Sequence, residues 1–433
     1  MNRGLDLALG TRLRRERLLL FLCAIVATVV LFGLADEPRS FSDNYILMAK
    51  RSLFDLKLYT ADRPATTFLL YKLCGYEPHR IVFAQRLLSI LAWLWLGFAV
   101  SRGLRREAVC LTTICLFALA PLSPQVAGWT TVLLSESLSL SLFAIWLGAY
   151  IIISASGNLR WLALLAPLTL LFSFTRDTWS YFLLFFVVLR LLQALVMRRS
   201  RTFHLVYFAV VLGIFLLQAL SAQMGKRTRF PLHNVVLQRI LPDKARTDWF
   251  IQTGAPLGLF KDAPHDWSGE WASSHKFALL IDPHYQPFVR WSVEDGKAVY
   301  ALFLLTHPGY TLHTVLRDSD SILAGSLKDY VGETPEHWAL GLATLPWELG
   351  GLALATICVF VLALIRQRLP LAPLFLCLAL LGTAFVAYHG DAMEVTRHCH
   401  FLRLGLTLVA WLCLLQLADV LQFRGKSESA EPK

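Results

Sequence analysis

Residues 35–80 read ADEPRSFSDNYILMAKRSLFDLKLYTADRPATTFLLYKLCGYEPHR, a stretch rich in acids and arginines between two apolar blocks, 18–34 and 81–100. Each flanking block is close to the ~20 residues an α-helix needs to cross a bilayer. A polar loop held between two such blocks belongs at one membrane surface. Within it, residues 42–58 put Ile46, Leu47, Phe54 and Leu58 near one helical face, with Lys50, Arg51 and Lys57 able to reach lipid head groups. Pro64 opens a second short helix whose expected buried side is Phe68, Leu69 and Leu73. Two such helices would hold Asp43 and Arg63 at the lipid–water boundary.

Outward from this loop the pattern repeats. The chain has 433 residues, 56% hydrophobic and 16% charged, against about 25% charged in soluble domains. Further apolar blocks fall at 108–122, 135–153, 161–174, 179–197, 203–221, 342–365, 371–388 and 402–421. The expected class is an all-α polytopic membrane protein of about ten transmembrane helices. Amphipathic helices occupy its first outer loop, and a mixed outer domain separates the seventh and eighth spans. The chain then divides into a transmembrane catalytic core at 1–221, an extracytoplasmic region at 222–339, C-terminal spans at 340–422 and a cytoplasmic tail at 423–433.

Arginine sets the sides. Arg12, Arg14, Arg15 and Arg17 precede the first block, and Arg102, Arg105, Arg106, Arg160, Arg198, Arg199, Arg201, Arg366 and Arg368 fall in alternate connections. The short connections on the other side carry almost no cations, the asymmetry of the positive-inside rule, so both ends are expected in the cytoplasm. On the outer side PLSPQVAGWT (121–130) reads as a surface turn. The uncharged run 298–316, interrupted by His307, Pro308, Gly309 and His313, reads as a broken interfacial helix.

The net charge of +11 is spread in short clusters between apolar blocks, as orientation signals and anionic-lipid contacts are, which argues against nucleic acid as a partner. Of eight cysteines only Cys74 and Cys399 fall in outer loops, and none shows CxxC spacing. The histidines lack a ligand pattern such as HExxH, so no metal site is expected. Tryptophans of 222–339, among them Trp267 and Trp271 in DWSGEW, read first as core or interfacial anchors and second as faces for a sugar.

Charges persist in outer connections that could do without them. Arg176 and Asp177 sit at one helix junction, and HGDAMEVTRHCH (389–400) carries Asp391, Glu394, Arg397 and His398. Glu136 opens another span inside Ser-Glu-Ser. Ionisable groups near hydrocarbon are paired or functional. Simple neighbour pairing would join Arg176 to Asp177, and Arg397 to Asp391 or Glu394. Their clustering on one face suits other chemistry: a carboxylate that takes a proton from an acceptor hydroxyl, and fixed cations that stabilise a departing phosphate.

These pieces, in their order, resemble the GT-C superfamily of membrane glycosyltransferases, which includes protein O-mannosyltransferases, the aminoarabinose transferase of lipid A and bacterial arabinofuranosyltransferases. The matching residues are Asp43-x-Tyr45-x3-Ala49, Arg63-Pro64 before a short apolar helix, Pro121 with Ser135-Glu136-Ser137-Leu138, Thr175-Arg176-Asp177, and Glu394-x2-Arg397-His398 before the last span. The resemblance covers about the first 200 residues and the last outer loop. It implies an inverting transfer of a sugar from a polyprenyl-phosphate donor to a glycan, lipid or protein acceptor. The site would face the exterior of a bacterial inner membrane.

By the same resemblance the base is an acid of the first loop. Many members carry an Asp-Glu pair four residues before the aromatic, where this chain has Phe41. Asp43 is the favoured base, with Asp36 and Glu37 as rivals. Arg63, Glu136, Arg176, Asp177, Asp391, Glu394, Arg397 and His398 are the expected substrate-binding residues. No cofactor is assigned, and a divalent metal at the phosphate stays open. Competing readings are a transporter or flippase for lipid-linked saccharides, which would favour ionisable groups at mid-membrane, and an O-antigen ligase or polymerase.

Overall fold

In a computed structural model the described residues are 2–33, 37–39, 44–198, 200–227, 229–261, 263, 265–272, 276–323, 325–332, 356–357, 359–362 and 371–428. Among them secondary structure is helical, with one isolated bridge between Arg39 and Val132 and no strand. Seven helices are long and apolar enough to span a membrane: Arg15–Gly33, Pro78–Ser101, Glu136–Ser156, Asp177–Met197, Arg201–Met224, Ala372–Gly390 and Val395–Leu421. The chain is a multi-pass all-α membrane protein.

The remaining expected spans differ in form. Glu107–Leu122 continues into Pro124–Thr131 across a 50° bend, and together they have the length of one more crossing. The bend falls where Ser123 precedes Pro124, which disfavours helical geometry for the serine. The block at 161–174 forms Leu162–Ser173, 12 residues with Pro167 inside, shorter than a full crossing requires. Most of 342–365 lies outside the described residues.

The helices pack closely because small residues sit where their backbones meet. A Cβ added at Gly148 would fall 2.6 Å from Trp95 Nε1, and that nitrogen already donates to the Ile145 carbonyl at 3.1 Å, so the indole cannot swing away. Trp146, Phe172, Phe182 and Phe186 then stack through the middle of the bundle. Trp146 Nε1 donates to Tyr207 Oη at 2.8 Å, and that hydroxyl also pairs with Thr169 Oγ1 at 2.9 Å. These three polar atoms are thus matched to one another, as hydrocarbon demands. Phe21, Val29 and Val196 remain exposed on the outside, where lipid tails would lie.

The first loop departs from its expected form. The single amphipathic helix at 42–58 is broken into Asn44–Ala49 and Leu56–Tyr59. The first ends at Ala49, and Asp55 caps the second: its carboxylate accepts from Lys57 N at 2.9 Å and pairs with Arg51 at 3.0 Å. The buried residues are Tyr45, Ala49 and Leu58, whereas Phe54 is 99% and Leu47 55% exposed. Ala65–Leu73 forms as expected, with Phe68 buried but Leu73 85% exposed.

The 222–339 region, expected to be mixed, holds only helices and turns among its described residues. Its own apolar core gathers Phe250, Trp267, Tyr285, Phe288, Trp291 and Phe303. Trp267 Nε1 donates to Tyr285 Oη at 2.8 Å, which makes this tryptophan a core residue. The run at 298–316 is broken as expected, into Gly296–Thr306 and Pro308–Arg317 on either side of His307. The chain turns at 121–130, and nearly all of that turn is buried, with Trp129 against Tyr330 and His400 and the 37–39 segment bound just beyond it at Thr131 and Leu133.

Two outcomes follow from this packing. Gly148→Leu places a branched side chain against a fixed indole and should lower stability by about 1–3 kcal/mol, read as a drop in thermal midpoint of the protein in detergent. His233, fully buried with Nε2 2.8 Å from Ser292 Oγ, has its pKa pushed down to about 3 by burial. The unfolded chain therefore takes up the extra proton as pH falls below ~6.5. Between pH 7 and pH 5 this should remove about 2 kcal/mol, and His233→Gln should flatten the loss of thermal midpoint over that interval.

Candidate functional site

Three spans begin at one end of the bundle. Glu136 is the first residue of its helix, Asp177 of the next but one, and Val395 of the last. Helix N-termini carry partial positive charge and unsatisfied N–H groups, which suits the Glu136 carboxylate. Glu136 is 2% exposed. Its Oε1 meets Arg176 Nη1 at 3.3 Å and Arg397 Nε at 3.0 Å.

The second acid is Glu394. Its Oε2 lies 2.8 Å from Arg397 Nη1 and 3.9 Å from His398 Nε2, and Tyr330 Oη donates to its Oε1. Glu394 has φ +53°, the left-handed region, where a side chain with Cβ is strained. The bonds from Arg397 and Tyr330 hold it there. The Arg397 guanidinium also lies over the Tyr330 ring, 5.3 Å from its centre. Burial and the neighbouring Glu394 push the Tyr330 phenol well above its ordinary range.

Arg63 completes the group. Its charge acts on Glu136, Asp177 and His398, yet it is exposed and has no hydrogen bond or ion pair among the described residues. Three guanidiniums thus face two carboxylates. A positive excess of this kind, with helix N-termini aimed the same way, is suited to an anion.

Neighbour pairing holds for Arg397 and Glu394 and fails for Arg176 and Asp177. Arg176 binds Glu136 rather than Asp177, and Arg397 binds Glu136 and Glu394 rather than Asp391. Asp177 belongs to an adjoining cluster: Oδ2 is 3.3 Å from Arg227 Nε, and Oδ1 accepts from Gln218 Nε2 at 2.5 Å. Arg227 donates to Ser221 Oγ at 2.9 Å, and Ser221 donates to the Tyr59 carbonyl at 2.5 Å, which ties this cluster to the first loop. Asp391 accepts from Asn234 Nδ2 at 3.0 Å and from Met393 N at 2.9 Å; burial raises its pKa. It joins the last loop to the 222–339 region and stands apart from the arginines.

Of the candidate bases, Asp43 and Asp36 lie outside the described residues. Glu37 is exposed. Two residues later Arg39 is pinned beside Val132: its N–H donates to the Thr131 carbonyl at 2.9 Å, and its carbonyl accepts from Leu133 N at 2.9 Å. Tyr45, two residues after Asp43, is buried against Phe68 and Tyr71, and its phenol interacts with the Arg397 charge.

Sequence reasoning missed several members. Tyr330 lies in the 222–339 region, where no charge pattern marks it. The Arg39 guanidinium lies against Gly332, in space that only a glycine leaves open. Arg227 and Gln218 flank the end of a span that was read only for hydropathy. Among the described residues no group of three His, Cys, Asp or Glu side chains is arranged to hold a metal ion. No protein-family model matches the chain, and no curated protein matches it.

Removing the Glu136 charge leaves two buried arginines facing each other. Glu136→Gln should cost about 3–5 kcal/mol, whereas Asp391→Asn, which keeps its acceptor oxygen, should cost under ~1.5 kcal/mol. Thermal unfolding of the two variants side by side checks the ranking.

Proposed function

We propose that this chain is a GT-C-type glycosyltransferase that moves a sugar from a polyprenyl-phosphate donor to a glycan, lipid or protein acceptor at the outer face of a bacterial inner membrane. The observation that carries the reading is the Arg63–Arg176–Arg397 group, charged in excess of its two acids and set where three spans begin. In this proposal the chain crosses the membrane ten times with both ends in the cytoplasm. The orientation draws support from Arg102, Arg105, Arg106, Arg198 and Arg201, which fall at helix ends opposite Glu136.

The chemistry asks for little else. The acceptor oxygen attacks the anomeric carbon as the bond from that carbon to the phosphate oxygen breaks, inverting the centre. Asp43 takes the acceptor proton, with Asp36 and Glu37 as rivals. The departing lipid phosphate gains a charge, which the arginines stabilise from fixed positions. Glu136 and Glu394 hold Arg176 and Arg397 in place and act as positioning residues. Asp177, Arg227, Asp391 and His398 frame the same end.

The test is turnover in nanodiscs with a panel of polyprenyl-phosphate sugars, with and without a chelator, read as release of polyprenyl phosphate. Asp43→Asn should lower turnover by about 100-fold or more while donor binding persists. Arg63→Ala, which breaks no ion pair among the described residues, should weaken donor capture by about tenfold. Donor binding without release in any acceptor mixture would overturn the transferase and point to transport.

A further inference from the structure

The opposite end of the bundle holds a second feature that the transferase reading does not use. A cavity of about 580 Å³ opens between the Glu136–Ser156, Asp177–Met197 and Val395–Glu428 helices, within the ~300–1,000 Å³ typical of pockets that take an organic ligand. Leu147 and Tyr150 lie 11 and 14 residues along the helix from Glu136, and Phe186 and Arg190 lie 9 and 13 from Asp177, or about 14–21 Å at the helical rise. The cavity therefore runs from near the middle of the bundle to its far end.

The cavity is layered. Ala155 and Met197 are exposed at its mouth, and Leu147 and Phe186 are buried at its floor. Between them, one turn from Phe186 along the same helix, lies Arg190. Its Nε donates to Tyr150 Oη at 3.1 Å and its Nη1 to Gln193 Oε1, and it has no carboxylate partner among the described residues. His204 lines the same space, 5% exposed, and its Nδ1 has no hydrogen-bond partner among the described residues. Asp419 also borders the cavity, but its Oδ1 is engaged by the backbone N–H groups of Arg105 and Arg106, at 3.0 and 2.9 Å.

A cation this near hydrocarbon needs an anion, and an imidazole nitrogen buried without a partner needs a donor or acceptor. The floor beyond them is apolar and would remain bare around a small ion. We infer that this cavity binds an anionic phospholipid, its phosphate on Arg190 and His204 and its acyl chain on Leu147 and Phe186. A basic rim of Arg198 and Arg201 favours the same charge sign in the surrounding leaflet. The inference is independent of glycosyl transfer, since no sugar donor takes part.

The experiment uses the purified full chain in neutral detergent, with phosphatidylglycerol, phosphatidylcholine or inorganic phosphate added. Retained lipid is counted by native mass spectrometry, and the thermal midpoint is followed in parallel. Phosphatidylglycerol should be retained and should raise the midpoint. Arg190→Ala should weaken that apparent affinity by about tenfold, and Arg190→Lys should keep most of it. Ala194→Phe, which fills the cavity while leaving the cation, should exclude the lipid. Equal retention by wild type, Arg190→Ala and Ala194→Phe would overturn the site. A midpoint rise with inorganic phosphate as large as with phosphatidylglycerol would overturn the lipid assignment. Should Arg190→Ala fail to fold, Arg190→Lys and Ala194→Phe still decide.

Discussion

The carboxylate of Glu136 is shared between Arg176 and Arg397, and the geometry of the site follows from that sharing. A carboxylate almost without solvent, at the edge of hydrocarbon, is too costly to leave unpaired, and so are the guanidiniums beside it. Each partner belongs to a different span. Arg176 caps the helix that starts at Asp177, and Arg397 lies in the first turn of the last helix. Pairing them through one acid fixes the relative height of three helices. It also leaves each guanidinium with donors to spare for a ligand.

A second layer builds on that anchor. Arg397 reaches on to Glu394, whose left-handed backbone turns the chain from the preceding helix into the last one. Tyr330 binds the same acid and stacks on Trp129, so the end of the 222–339 region closes over the buried 121–130 turn. Gly332 then gives Arg39 room to lie beside it. Segments far apart in sequence thereby converge on one point, and the first loop enters the site through the 37–39 segment and through Tyr45.

The helical, membrane-spanning class was legible because apolar length is a direct physical requirement of the bilayer. Glu136, Arg176, Glu394 and Arg397 were legible as a group for the converse reason: a charge is conspicuous where hydrocarbon is expected. The Glu394–Arg397 pair was legible too, from its i, i+3 spacing, but the pairs that Glu136 makes were not. Ion pairs that join different spans leave no trace in local spacing, so near neighbours such as Arg176 and Asp177 invited the wrong match. The first-loop helix was misread through Phe54, whose apolar character counted as burial although it lies in the turn between Ala49 and the Asp55 cap and is exposed. Hydropathy alone cannot separate a side chain facing lipid from one facing the core. Tyr330 and Arg39 act through neighbours that only the fold supplies, and the favoured base, Asp43, lies outside the described residues.

The interior between the two ends bears on how such a protein could work. Phe143, Trp146, Phe172, Trp179 and Phe182 fill the bundle between the Glu136 cluster and the Arg190 cavity in continuous ring contact. Trp146 Nε1, Tyr207 Oη and Thr169 Oγ1 are spent on one another, which leaves Trp179 Nε1 as a lone donor in this layer among the described residues. A phosphate or sugar passing this layer would lose its hydration and find little more than one indole N–H in return, a penalty of several kcal/mol per unsatisfied group. Carriers keep their ionisable groups at that depth, whereas Glu136, Arg176 and Arg397 stand at the first turns of their spans. This weighs toward chemistry performed at one face and against passage through the bundle. It also makes the Arg190 cavity a site reached from its own leaflet, separated from the Glu136 cluster by a dry aromatic wall.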